Sequence, residues 1–301
     1  MPSSRRRSLR DVRRAYTGED KKAAEAGVGR GGLGVTHCSP VQRRFRATLA
    51  VHLFNENNGK PPFSDAELHS ARAFLSYTMT VSPRYDELLC IVPGALENAL
   101  SRLSSSSSDP RHRVPGLRVA ASAPYQAYHL VDLVTGGRMT LARQSAYPSI
   151  ADIRSGKPGK SSSWAREWPG LDVAISPVER AVRARIPAMT EEIEALLAAL
   201  VACLDARDPA GEWALGLWWT DPLRRSITAG HDGGISLWGS GGRWELAWTE
   251  HPDPDDIVGC LTDPHIGVPG AAAVRLSAHV REIRLGSSVL TLRYGVSRAD
   301  G

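Results

Sequence analysis

The sequence is short of several residue types at once: its 301 residues include four cysteines, four methionines, four phenylalanines and five lysines. Cys38, Cys90, Cys203 and Cys260 stand far apart, with no Cys-x-x-Cys pair and no histidine at zinc-finger spacing. That pattern argues against a structural metal and against a disulfide framework. Buried free thiols are expected instead, with Cys90 on a strand and Cys203 and Cys260 on helices. Long apolar runs are also missing. The longest, Ala195 to Leu204, is too short to span a bilayer, and none follows the N-terminal arginines, so neither a membrane span nor a secretory signal is expected. The reading is a cytoplasmic, reduced protein. No nucleophile elbow, metalloprotease helix or paired-carboxylate signature occurs, so no metal and no cofactor are expected.

The scarcity of lysine among 37 basic residues, beside abundant Ala, Arg and Gly, points to the coding bias of a GC-rich bacterial genome. Charge is unevenly placed. Residues 1–30 carry nine basic groups against four acidic ones, and the rest of the chain carries 28 of each. The formal charge of +5 therefore resides in the N-terminal arm, and any attraction to DNA or RNA belongs there. Arg5, Arg6, Arg7, Arg10, Arg13 and Arg14 are the candidate phosphate contacts, on a short basic helix anchored only by Leu9 and Val12. So little apolar surface leaves that helix either mobile or docked.

Two glycine-rich stretches invite a nucleotide-site reading and fail it. Gly27 to Gly34 has no preceding strand and no following Gly-Lys-Ser/Thr, so a linker is expected. Gly159-Lys160-Ser161 would need a glycine where Arg154 stands, and residues 145–187, rich in Ser, Gly, Pro and Lys, read as a second linker.

What is present is a repeated turn. Asp263-Pro264-His265-Ile266-Gly267-Val268-Pro269-Gly270 is a near-copy of Asp109-Pro110-Arg111-His112-Arg113-Val114-Pro115-Gly116. Asp-Pro and Val-Pro hold their first residues out of the helical region, and Pro-Gly fills the centre of a type II turn. Each copy follows a strand-like run and a short helix: Tyr85–Val92 with Leu96, Ala99, Leu100 and Leu103, then Trp244–Trp248 with Ile257, Val258 and Leu261. Glu87, Leu88 and Leu103 precede Glu245, Leu246 and Leu261 by one constant interval, and Val119 answers Val274. Each copy ends in a hairpin, Tyr125–Leu133 with Arg138–Arg143 and Val280–Leu285 with Val289–Tyr294.

The expected fold class is α+β, an internal duplication giving two related halves of helix, antiparallel strands, short helix, Pro-Gly loop and hairpin. The expected division is arm and linker 1–38, first half 39–144, linker 145–187 and a Trp-rich second half 188–301. Ser39-Pro40 opens a helix in the first half, and Ser64-Asp65-Ala66-Glu67 a second one. Thr190 to Ala206, with Ile193, Leu196, Leu197, Leu200, Val201 and Leu204 at helical spacing, opens the second half. Strands are expected at Trp213–Thr220, Gly234–Trp238 and Arg243–Thr249. Trp213, Trp244 and Trp248 share faces with leucines and read as core, whereas Trp218 and Trp238 point the other way and are candidate interaction residues.

Three functions follow, in order. The first is a non-enzymatic, nucleic-acid-associated accessory protein using the basic arm. The second is a protein-interaction or structural module with a Trp-rich interface, its partner another copy or another protein. The third is an enzyme with a cleft between the halves, for which His231 and Asp232 are the candidate acid/base residues.

Overall fold

A computed structural model describes residues 3–29, 32–55, 78, 80–94, 96–104, 114–123, 126–143, 168–215, 235–249 and 251–295. The helix expected at Ser64–Glu67 lies outside them. The first half runs α3 (Pro40–Leu53), β1 (Thr80–Arg84), β2 (Glu87–Val92), α4 (Leu96–Leu103), β3 (Leu117–Ala123), β4 (Ala127–Asp132) and β5 (Arg138–Arg143). The second runs α6 (Glu191–Ala202), β6 (Ser236–Ser240), β7 (Arg243–Trp248), α7 (Pro254–Thr262), β8 (Ala272–Arg275), β9 (Val280–Leu285) and β10 (Ser288–Tyr294). Outside the two halves lie α1 (Ser3–Thr17), α2 (Lys21–Gly27) and α5 (Pro177–Ala184).

Each half builds a five-stranded mixed sheet of the same order, β1-β2-β5-β4-β3 and β6-β7-β10-β9-β8. In each, one parallel pair (β2 with β5, β7 with β10) sits among antiparallel ones. The registers match except that β3 carries a bulge after Val119 that β8 lacks. Val81 faces Cys90 as Leu237 faces Leu246, Leu88 lies beside Met139 as Trp244 lies beside Leu290, and Val119 faces Leu130 as Ala273 faces Ile283. The described part of the repeated turn, from Val114 and Val268 onward, is built alike. The Val114 and Val268 amides donate to the carbonyls of Leu103 and Leu261, both at 2.9 Å. Gly116 and Gly270 then take φ 86° and 83°, a region open to glycine at little cost.

These pairings correct the sequence alignment at two points. Leu88 corresponds to Trp244, not Leu246, and Val119 to Ala273, not Val274. The stretch between Trp248 and Pro254 is longer than that between Val92 and Leu96, so one interval cannot serve both strand and helix. Leu103 and Leu261 do correspond.

Helices α3 and α6 start alike and pack against each other. Ser39 and Thr190 cap them through their hydroxyls, which accept from Gln42 and Ile193 amides. Each cap also ties its helix to its own sheet, the Ser39 amide donating to Tyr85 and the Thr190 amide to Gly241. Phe45, Leu49 and Leu53 of α3 and Ile193, Leu196, Leu197 and Leu200 of α6 join Leu88, Cys90, Met139 and Leu141 from one sheet and Trp244, Leu246, Leu290 and Leu292 from the other in one continuous core. Each such side chain contributes roughly 1.5–3 kcal/mol by leaving water. The far ends of the helices cross over. Asn55, beyond α3, bonds to Leu237 of the second sheet, and Asp205, beyond α6, accepts from the Val81 amide of the first.

The expected linker 145–187 contains an ordered helix. Ser176 and Glu179 form a capping box on α5, with Pro177 in its first turn. Glu179 then holds Arg118 of β3, both side chains buried. The preceding residues cover the outer edge of β3, where the Val119 amide donates to the Pro169 carbonyl. The strand expected at Trp213–Thr220 is an isolated bridge at Ala214 with Arg207, and residues 216–220 lie outside the described residues. Trp213, Trp244 and Trp248 are buried and Cys38, Cys90, Cys203 and Cys260 are free.

Candidate polyanion-binding surface

Helix α1 is amphipathic in an unusual sense, because its docking face is centred on an arginine. Leu9 and Tyr16 pack against the core cluster, while Val12, the second expected anchor, faces solvent. Between them Arg13 is completely enclosed. Its Nε and Nη2 donate to the two Glu19 carboxylate oxygens, each at 2.6 Å. Nη1 donates to the Gly27 and Leu33 carbonyls and Nη2 also to Pro83. Every N–H of the guanidinium is thus engaged, which removes Arg13 from the set of phosphate contacts. Burying such a charge is tolerable only with this degree of pairing.

The arm therefore docks. The Arg207 amide donates to the Tyr16 carbonyl, and the Tyr16 ring lies 6.3 Å from Trp213 and 6.0 Å from His265. Burial, reinforced by Asp263, pushes the Tyr16 hydroxyl up to about 12. Thr36 donates to the Gly267 carbonyl, so the arm and the segment after it hold both the β1–β2 hairpin and the second copy of the repeated turn.

Docking leaves several cations in solvent. Arg5, Arg6, Arg7 and Arg14 of α1 and Lys21 and Lys22 of α2 are exposed. Arg10 is almost buried and pairs with Asp11 at 2.8 Å and with Glu25 at 4.0 Å. Arg6 reaches the Glu25 carbonyl and Arg14 the Glu19 carbonyl through single long bonds. The side chains of Arg5 and Arg7 make no hydrogen bond or ion pair among the described residues.

His231, Asp232 and Trp218 lie outside the described residues. Trp238 is half-buried, its ring 6.4 Å from that of Trp244. Sequence reasoning missed one polar row, Glu87, Thr140 and His129, on the face of the first sheet turned away from α3. Thr140 donates to Glu87, and its oxygen lies 3.0 Å from His129 Nδ1. Alternation along each strand places these residues on one face, but only the pairing of β2, β5 and β4 brings them together. The row orients an imidazole without assembling a nucleophile, since Thr140 is itself buried. Arg46 is a second unforeseen group. Fully enclosed, it donates to the Arg84 and Glu87 carbonyls, and burial pulls its pKa down.

Among the described residues no group of three or more His, Cys, Asp or Glu side chains could hold a metal ion, and no helix is long and apolar enough to cross a membrane. No family model, curated protein or solved structure matches the chain.

Proposed function

We propose that the protein is a non-enzymatic accessory protein that binds nucleic acid through the outward cations of its docked N-terminal helices. The observation that carries this reading is the division of labour on α1: Arg13 is used up in fastening the helix, and Arg5, Arg6, Arg7 and Arg14 stay in solvent on a support that no longer moves freely. Cations held on a fixed surface contact phosphates at a lower ordering cost than cations on a loose tail. A cytoplasmic location belongs to the same proposal, supported by four cysteines that are all free. The test is fluorescence anisotropy with short duplex DNA and single-stranded RNA across a salt series. Each lost phosphate contact should lower the slope of log affinity against log salt by about 0.9 for duplex DNA. Replacing Arg5, Arg6, Arg7 and Arg14 together by Ala should flatten that dependence, and unchanged binding would reject the role.

One observation favours the interaction-module reading. The outer edge of β3 is covered by residues 168–170, whereas the corresponding edge of β8 has no pairing partner among the described residues, and Ala272, Ala273 and Arg275 are exposed. Such an edge can accept an added strand, although four residues is short. Sedimentation of a strict monomer with no co-purifying protein would count against it.

A further inference from the structure

The two crossing contacts between the halves are built on corresponding backbone positions but by chemically different side chains. Val81 and Leu237 sit on the edge strands β1 and β6, facing Cys90 and Leu246. In an antiparallel ladder a residue's N–H and C=O leave the strand on the same side. At Leu237 both groups are taken by Asn55, whose Oδ1 accepts from the amide at 3.0 Å and whose Nδ2 donates to the carbonyl at 2.9 Å. At Val81 the amide donates to Asp205 Oδ2 at 3.1 Å, and the Val81 carbonyl leaves the strand on that same side. A carboxylate accepts only, but a carboxylic acid offers one donor and one acceptor, as a primary amide does.

We propose that Asp205 is a pH-sensitive latch between the halves: in the folded protein its carboxyl is protonated and donates to the Val81 carbonyl, reproducing the two-way bond of Asn55 to Leu237, and its ionisation releases that contact. The surroundings favour the neutral form. Residue 205 is half-exposed as a whole, yet protein atoms crowd its carboxyl, which burial and then the Glu19 carboxylate push up to about 8. The bonds from the Val81 and Asp205 amides and the charge of Arg207 oppose this without cancelling it. Among the described residues Cys90 on β2 also faces it, a thiol that burial keeps protonated. Glu19 is itself tied to Arg13, which also holds the Pro83 carbonyl on the same strand as Val81, so the latch sits beside the anchor of the N-terminal arm.

The sign follows from linkage. With the folded carboxyl pushed up to about 8 from its ordinary 3.8, the folded state holds the extra proton between those values. Stability from this group falls as pH rises from about 4 to about 8 and is level above that. The experiment is thermal unfolding of the full chain as wild type, Asp205→Asn and Asn55→Asp from acid to pH 9, with carbon-13 NMR of the Asp205 carboxyl as a direct readout. Asp205→Asn should match wild type near pH 4 and exceed its Tm by an amount that grows up to pH 8, by about 2 °C or more. Asn55→Asp should acquire the pH dependence that Asp205→Asn loses. The carboxyl resonance should titrate well above the normal range. A difference between wild type and Asp205→Asn that is independent of pH, a less stable Asp205→Asn at pH 8, or an Asp205 resonance titrating near 4 would each overturn the proposal.

Discussion

Arg13 and Glu19 face each other across two 2.6 Å hydrogen bonds, with neither side chain exposed to solvent. The pair lies between α1 and α2 and shares its guanidinium with Pro83 of the first sheet, so it fastens the arm and closes one edge of the body at once. Removing one partner strands the other charge without water or counter-charge. Arg13→Met should therefore cost about 3–5 kcal/mol, the range for a broken buried pair, whereas Arg5→Ala or Arg7→Ala should stay within about 0.5 kcal/mol. Urea denaturation midpoints for the three variants check this. Equal midpoints would show that the arm is not fastened here.

Glu179 does three things at once: it accepts from the Ser176 amide of its own capping box, from the Gly116 amide of the first repeated turn, and from both terminal nitrogens of Arg118. Arg183, on the same helix, bridges to Asp132 at 2.8 Å and donates to the Pro115 carbonyl. Helix α5 has few apolar contacts of its own, with Val182 its main buried hydrophobe, so these polar bonds hold it. Glu179→Ala should detach it, with amide exchange over residues 175–185 accelerated by 10-fold or more, the effect of losing about 1.4 kcal/mol of local stability. Exchange over α3 should hardly change. Uniform acceleration everywhere would instead mean that α5 unfolds only with the whole molecule.

Gly239 of β6 has no room for a side chain. A Cβ there would stand 2.2 Å from the Arg243 carbonyl oxygen and 2.5 Å from Trp244 Cα, both backbone atoms of the neighbouring strand. Gly18, by contrast, has open space around it and a φ of 66°. Gly18→Ala should cost only the backbone strain, about 1 kcal/mol, and Gly239→Ala should cost clearly more by forcing the β6–β7 hairpin apart. Comparing the two Tm values decides it.

How much of this was legible in the sequence depends on range. The repeated turn was legible because Pro and Gly act on their own dihedrals, and Val114, Gly116, Val268 and Gly270 sit where that chemistry places them. Helix α6 was legible because Ile193, Leu196, Leu197 and Leu200 repeat at the helical period. The register of Leu88 against Trp244 was not, since a longer connection after β7 shifts strand against helix and only hydrogen-bonded partners reveal it. In the sequence Arg13 is one of six like cations. Its difference from Arg14 is set by Glu19, Gly27, Leu33 and Pro83, whose convergence no local pattern records. Helix α5 was hidden in the same way, because a Ser-Pro-x-Glu capping box is a local signal but the reason the helix stays is Arg118, far back in the chain.

The two copies of the turn can be compared residue by residue. Gly116 and Gly270 have almost the same φ, so an alanine at either meets the same backbone strain. Their surroundings differ. A Cβ on Gly270 would meet only Leu285 Cδ1 at 3.7 Å, an ordinary contact, whereas one on Gly116 would press on Asp132 Oδ1 at 3.1 Å, the oxygen that Arg183 holds. Gly270→Ala should therefore cost about 1 kcal/mol and leave its neighbours in place. Gly116→Ala should cost more, and part of the excess should disappear when Arg183 is already replaced by Ala, because Asp132 Oδ1 then loses its shortest bond and can turn aside while Thr135 keeps hold of Oδ2. A double-mutant cycle between Gly116→Ala and Arg183→Ala reads that coupling directly. If the two single glycine variants prove equally destabilised, the strain common to both turns is the whole effect and the packing that distinguishes the halves at this point carries no weight.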